Sequence, residues 1–372
     1  MKKSGLIVGG GIAGMSAAIM LRRAGIDVDL VDIAKEWKMV GAGLTISAST
    51  LRAFQQLGIL DQVKARGHTH AGIQVCDVEG RPLRNVVSPP LPDADVPGAA
   101  GILRPVLHGI LAQGLAQNGV AVRLGMTVTG IRQEGAKSAV QFSDRTAGSY
   151  DFIVGSDGLF STTRKLLFPE AAAPAFTGQA CWRLVLPRPE EIDQRHFFLG
   201  GPVKVGLTPV SRDEMYLFLL EHVPSNPWRD PATQYIQLGK LLEGFGGILK
   251  SIRESLSSTS MIVYRPLEAH LLRHDWYRGN AILLGDAAHA TTPQLASGAG
   301  MAVEDGIVLA AEISRSESLQ DAFANFMRRR YERCRLVVEN SLEIGRLEVA
   351  GASGVEQTAV VERSLAVLAQ PL

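Results

Sequence analysis

Three groups of residues in this chain have types and spacing suited to chemistry. The first is Gly9, Gly11 and Gly14, within Leu6-Ile7-Val8-Gly9-Gly10-Gly11-Ile12-Ala13-Gly14. At this spacing the first glycine permits a sharp turn and the second lets backbone approach a pyrophosphate. The third lets a helix pack closely on a strand. The helix opening here offers unpaired N–H groups and a partial positive charge to phosphates. Asp32 ends the next apolar run, Val28 to Val31, where a ribose-binding carboxylate is expected. The second group is Asp157-Gly158, where the run Phe152 to Gly155 breaks into small residues. The third is Gly285-Asp286, ending the run Ala281 to Leu284 and followed by His289 and Pro293. Beyond it, Ala296-Ser297-Gly298-Ala299-Gly300-Met301 opens another helix, a second set of backbone donors for an anion. Dinucleotide binding follows from the first group with its flanking strand, helix and Asp32.

The elements that position them are legible from periodicity. Leu6 to Val8 is too short for a helix and reads as a strand, followed by the helix Met15 to Leu21 and the strand Val28 to Val31. Leu51, Phe54, Leu57 and Leu60 mark an amphipathic stretch, and Ala71 to Leu83 is strand-like. A helix is predicted from Arg104-Pro105 with Leu107, Ile110, Leu111 and Leu115 buried, stopped by Asn118-Gly119. Val120 to Leu124, Val128 to Gln133 and Ala139 to Phe142 read as a meander at the edge of the first domain. Between Trp182 and Tyr264 alternating strands dominate, bounded by Pro187 and Pro189 on one side and Pro266 on the other. The expected architecture is α/β: a Rossmann-like dinucleotide domain (residues 1–70, 100–172 and 266–318), an inserted, mainly antiparallel sheet domain (71–99 and 173–265), and a C-terminal helical region (319–372). That last region carries Arg328-Arg329-Arg330, Arg333 and Arg335. Glu332, Glu339 and Glu343 accompany them, so the basic run is expected on a solvated face.

Composition narrows the function. A 372-residue chain can bury a sizeable core, and its net charge of +1 gives no reason to expect a nucleic-acid partner. Ser4 to Leu21 is uncharged, but its central glycines make a poor membrane helix and Arg22-Arg23 follows it, so no membrane association is expected. Cys76, Cys181 and Cys334 are odd in number and far apart, which implies neither a disulfide framework nor a metal site and suits the cytoplasm. A monomer or homodimer is expected.

In this order, the glycine turn, Asp157-Gly158 and Gly285-Asp286 with His289 and Pro293 resemble the single-component flavoprotein aromatic hydroxylases, the family of p-hydroxybenzoate and salicylate hydroxylases. The resemblance runs from Leu6 to about Asp305. It implies non-covalent FAD, with the ring between the nucleotide domain and the sheet domain. By that resemblance Gly9, Gly11, Ala13 and Gly14 meet the pyrophosphate, Asp32 the adenosine ribose, and Val128 the adenine. Arg104 reaches the phosphates or ribityl chain, Asp286 holds ribityl hydroxyls, and Asp157-Gly158 lies near both flavin and nicotinamide. Ile12, Ile33, Gly43, Leu44, Gly285, Pro293, Ser297, Gly298, Ala299, Gly300 and Met301 complete the implied contact set. Three positions depart from the family pattern: Asp32 stands where Glu is usual, Ala296-Ser297-Gly298 where Gly-Gln-Gly is frequent, and Leu103 where a His often precedes the Arg.

Only one dinucleotide fingerprint is present, so NADH or NADPH is expected as a transient donor rather than a resident. The resemblance implies that reduced flavin takes up O2 and delivers hydroxyl from a flavin hydroperoxide to an electron-rich ring, the protein holding substrate and excluding water. Lys204 and Tyr216, on adjacent predicted strands, and Arg183 are the candidate substrate-facing residues, with Gln294 and Pro293 flanking the flavin ring. Arg183 and Lys204, on strands poor in Asp and Glu, favour a small acidic aromatic or N-heteroaromatic substrate. The alternatives are an epoxidase or reductase of the same fold, or a non-enzymatic flavin sensor. A halogenase is disfavoured because the Trp-x-Trp-x-Ile-Pro stretch is missing.

Overall fold

The computed structural model describes residues 3–37, 41–226 and 228–372. The chain begins with the strand Ser4–Val8, buried at its centre because Leu6, Ile7 and Val8 are apolar on both faces. It lies in a six-stranded sheet ordered Tyr277–Arg278, Ala281–Leu283, Phe152–Gly155, Ser4–Val8, Asp27–Asp32, Ala121–Leu124. All neighbours are parallel except the edge pair formed by Tyr277–Arg278. Helix Ile12–Arg23 packs against helices Gly298–Arg315 and Arg104–Gln117. A Cβ at Gly306 would lie 2.6 Å from the Ala17 backbone nitrogen, so this glycine sets how closely the first two helices cross.

The strand Ala121–Leu124 joins this parallel sheet beside Asp27–Asp32, which corrects its placement in a meander. The helix Arg104–Gln117 immediately before it supplies a crossover, and a strand returning from a crossover pairs in parallel. The antiparallel meander consists instead of Val128–Glu134, Lys137–Phe142 and Ala147–Tyr150.

A seven-stranded sheet stands apart, ordered Ile262–Ala269, Ala175–Pro187, Glu214–His222, Lys204–Pro209, Arg195–Phe198, Gly72–Cys76, Pro82–Val87. Side chains alternate across it, as strand geometry requires. Trp182, Leu184, Val205, Leu207, Leu217 and Leu219 share a core with Leu238 and Leu249 of the helices Gln234–Leu241 and Gly247–Ser255. The intervening Cys181, Arg183, Lys204, Tyr216, Phe218 and Leu220 face a cleft toward the first sheet. A small sheet, ordered Gly43–Ser47, Ala99–Leu103, His68–His70, joins the two halves. Gly101 is required there, since a Cβ would come within 2.0 Å of the Pro209 carbonyl oxygen.

Helix Leu319–Val349 runs back along the molecule and contacts helix Gly298–Arg315, the strand Ala175–Pro187 and the turn Pro293–Leu295. Its basic run is not simply solvated. Arg330 is fully buried, its Nε 2.8 Å from Asp305 Oδ1 and Nη1 2.6 Å from Glu304 Oε2. Arg333 also pairs with Glu304, and Arg329 with Glu312, because helix Gly298–Arg315 presents three carboxylates to this face.

Candidate active site

At the nucleotide end the glycines divide into structural and open positions. Gly9 has φ +104°, and a Cβ there would lie 2.5 Å from the Ser156 carbonyl oxygen. A Cβ at Gly14 would approach the Gly9 carbonyl oxygen to 1.9 Å. Both glycines make the turn itself, and neither lines the cleft. Gly11 does line it, with nothing within 4 Å of its Cβ position, so its side-chain space is open toward a ligand. Ile12 and Ala13 stand beside it, at the start of a helix with no acidic residue in its first turn. Asp32 braces the turn: Oδ2 accepts from Gly10 N–H at 2.6 Å and Oδ1 from Ala34 N–H at 2.7 Å. Ile33 is exposed beyond it, and Val128 is buried in the meander. Asp32, Ile33 and Val128 do not line the cleft.

Gly285-Asp286 stands opposite. Gly285 has φ +57° and packs on Ala13, which carries Asp286 into the cleft. Asp286 is solvent-exposed on the cleft wall, yet desolvation by the protein around it raises its pKa above the usual carboxylate value, while His289 and Arg104 pull it back. Arg104 is exposed toward the cleft, where desolvation by the surrounding protein lowers its pKa and Asp286 opposes that effect. The two form a cation–anion couple across the cleft, with Gly43 and Leu44 beside them. Ser297, Gly298 and Ala299 bring the N-terminus of the 18-residue helix Gly298–Arg315 to the same space, again with no acidic residue in its first turn. Gly300 instead packs on Thr50, and the Met301 carbonyl accepts from Arg330.

The Gly285 turn is held from behind. Asp305 Oδ2 accepts from Gly285 N–H at 2.9 Å and lies 2.7 Å from His289 Nε2. Burial opposes a charged His289, but Cys334 and Asp305 outweigh it and raise the imidazole pKa well above its usual value. The Asp305 carboxyl is lowered despite its burial, by His289 and Arg330. His289, Asp305 and Cys334 have ligand atoms within 4.8 Å of one another, but Arg330 occupies that cluster as its cation. His289 is thus a structural residue here, outside the cleft lining.

Asp157 also turns away from the cleft. Its carboxylate accepts from Ser161 Oγ and from Thr163 N–H at 2.9 Å, fixing the loop that presents Ser156 and Gly158 to the cleft.

At the sheet end the cleft brings together Arg183, Lys204, Tyr216, Pro293 and Gln294. The Tyr216 hydroxyl is 2.7 Å from Thr45 Oγ1, and its ring lies against Gly43, where a Cβ would clash at 2.1 Å. Lys204 is ion-paired with Glu348, near the end of helix Leu319–Val349. This corrects the premise of a lone lysine among strands poor in acid, because its anion arrives from 144 residues away. Arg183 has no ion-pair partner among the described residues. Sequence reasoning did not single out Arg195, Thr45 or Glu348. The Arg195 guanidinium lies 4.4 Å from the Phe197 ring centroid and 5.1 Å from that of Phe218, with a buried Nε lacking a hydrogen-bond partner among the described residues. Burial lowers its pKa, with Tyr216 acting in opposition.

The fit to FAD rests on the open position at Gly11, two helix N-termini free of acid facing one cleft, and the Arg104–Asp286 couple. Comparison with known proteins agrees. Residues 2–341 match the family model described as FAD binding domain. The chain is 33% identical over 348 residues to 2-heptyl-3-hydroxy-4(1H)-quinolone synthase of Pseudomonas aeruginosa, covering 92% of this chain and 88% of that protein. It is 26% identical to the FAD-dependent urate hydroxylase of Klebsiella pneumoniae, covering 90% and 87%. The crystal structure of Klebsiella pneumoniae HpxO with FAD and uric acid has the same fold, with a TM-score of 0.86, 23% identity, and coverage of 99% and 93%. The chain therefore belongs to the FAD binding domain family, and within it to the FAD-dependent aromatic monooxygenases.

Proposed function

We propose that this enzyme uses NADH or NADPH and O2 to hydroxylate a small acidic aromatic or N-heteroaromatic ring. The observation that carries this reading is one cleft whose two ends differ in chemistry. Backbone donors, Arg104 and Asp286 line one end, while Arg183, Arg195, Lys204, Tyr216 and aromatic surface line the other. Gly11, Ile12, Ala13, Arg104, Asp286, Ser297, Gly298 and Ala299 would hold FAD. Bound FAD, once reduced, supplies the activation of O2 needed to oxygenate a ring carbon. Phe197, Phe218, Leu220 and Leu267 exclude water from the sheet end. Arg183 and Arg195, rather than Lys204, supply unpaired positive charge to a ring oxygen, raising the ring's anionic character. The relatives named for a quinolone and for urate act on nitrogen heteroaromatics, which supports that substrate class. The division into an FAD-binding domain (1–70, 100–172, 266–318), a sheet domain (71–99, 173–265) and a helical region (319–372) is part of the same proposal, as is a cytoplasmic location. The described residues include no helix long and apolar enough to cross a membrane.

The test is oxygen uptake by purified, FAD-loaded protein with NADH or NADPH and a panel of hydroxylated pyridines, quinolones and purines. The expected result is release of FAD on acid precipitation, and a ring that accelerates uptake and leaves with one added oxygen atom. Protein that cannot be loaded with FAD, or uptake that no ring accelerates, would overturn the reading.

A further inference from the structure

Glu348 lies at the far end of a helix that otherwise serves the core, yet its carboxylate enters the sheet end of the cleft's surroundings. Its side chain is 8% exposed and ion-paired with Lys204, which is 30% exposed and lines the cleft. Glu348 Oε2 accepts from Gln179 Nε2 at 3.0 Å and from Gln294 Nε2 at 3.2 Å. The Gln294 amide also donates to Gln179 Oε1 at 2.9 Å. Gly345, one turn earlier, makes this approach possible. A Cβ there would lie 2.8 Å from Gln179 Oε1 and 3.3 Å from Gln294 Nε2.

Two consequences follow from this arrangement. The carboxylate fixes the orientation of both amides, because a flipped Gln294 would set its oxygen against an anion. Gln294 Oε1 is then buried without a partner among the described residues, on a side chain that lines the cleft. A buried acceptor in that state favours a ligand that brings an N–H or O–H donor. The second consequence is electrostatic. A carboxylate entering beside Lys204 must displace Glu348 or share one ammonium with it, and two anions at hydrogen-bonding distance from one cation repel strongly in a partly dry site. An oxygen whose charge is delocalised over a ring can use Arg183 and Arg195 without that conflict.

We propose that Glu348 is a specificity-determining residue. By occupying Lys204 and setting the Gln294 amide, it turns the cleft against rings with an appended carboxylate and toward rings whose acidity lies in their own N–H or hydroxyl. The inference rests on the reading that the ring binds at the sheet end, and it selects among the acidic rings that reading allows.

The test is a binding titration of FAD-loaded protein, read by the flavin absorbance change, with matched probes: 2-hydroxypyridine against 2-hydroxynicotinate, and phenol against salicylate. In the parent protein the carboxylated member of each pair binds more weakly by about tenfold or more, a measurement that needs no variant. Glu348→Gln, nearly isosteric, raises the carboxylated-to-uncarboxylated affinity ratio by about tenfold, and adding Lys204→Met cancels the gain. A parent that binds the carboxylated member as tightly as its partner overturns the proposal. So does an unchanged ratio in Glu348→Gln, or a gain that survives Lys204→Met. Binding needs no turnover, so a failure of ring hydroxylation bears on the functional reading and leaves this result interpretable on its own.

Discussion

The two ends of the cleft are made of different material. The nucleotide end is mostly backbone, with Arg104 and Asp286 as its charged side chains: turns at Gly9 and Gly285, two helix N-termini, and an open position at Gly11. The sheet end is side chain: Lys204 and Tyr216 are held by partners from distant parts of the chain, Arg195 lies over the rings of Phe197 and Phe218, and Arg183 has no ion-pair partner among the described residues. A backbone site tolerates little change of residue but needs only local sequence. A side-chain site can be retuned by one substitution, but its state depends on who else arrives. The difference separates what one fold keeps constant, cofactor binding, from what it varies, the ring it accepts.

The largest effect should come from behind the nucleotide end. Arg330→Met removes the cation that Asp305 and Glu304 share in a fully buried cluster. Breaking one side of such a cluster costs about 3–5 kcal/mol, because the remaining charges stay buried. Thermal unfolding should fall accordingly, and FAD retention should fall with it, since Asp305 holds the Gly285 N–H. Normal stability in this variant would show that Arg333 and His289 compensate, and that the turn does not depend on the cluster.

The glycine turn offers a sharper comparison within one motif. Gly14→Ala sets a Cβ 1.9 Å from a backbone oxygen, so the fold must shift, at about 1–3 kcal/mol or more. Gly11→Ala meets nothing within 4 Å and has an ordinary φ of −78°, so the apoprotein should lose no more than about 1 kcal/mol, the cost of placing Ala at a helix N-cap. FAD binding should nevertheless weaken in Gly11→Ala, because the added methyl points into the cleft. Unaltered FAD affinity there would break the assignment of the open position to the pyrophosphate.

The same contrast explains what the sequence revealed. Gly9, Gly11, Gly14 and Gly285-Asp286 are legible because a backbone requirement writes itself into residue identity at fixed spacing. Period-two alternation also placed Arg183 and Tyr216 on a sheet, and the structure adds that Trp182 and Leu217 take its other face. Ion pairing left no such trace. Lys204 meets Glu348 across 144 residues, and Arg330 meets Glu304 across 26, so neither partner could be read locally. Arg330 seemed to belong to a solvated face because charge pattern along one helix is silent about the helix packed against it. Asp157 lies where the motif indicates, but its carboxylate serves the loop through Ser161 and Thr163, a use that residue type alone does not specify.

The smallest expected effect tests whether the sheet end acts through contact or through architecture. Tyr216→Phe keeps the ring against Gly43 and the packing on Phe218, whose centroid lies 6.0 Å away, and deletes only the hydroxyl bonded to Thr45. One neutral hydrogen bond is worth about 0.5–1.5 kcal/mol, so stability should fall slightly and FAD content should not change. Thr45→Val removes the same bond from the other side while leaving the tyrosine hydroxyl in the cleft. If that hydroxyl touches the ring being oxygenated, Tyr216→Phe raises KM, whereas Thr45→Val shares only the loss of stability. Equal KM changes in the two variants would instead mean that Tyr216 works by holding the small sheet to the large one. The sheet end would then owe its specificity to its charges, Arg183, Arg195 and the Lys204–Glu348 pair, rather than to the tyrosine.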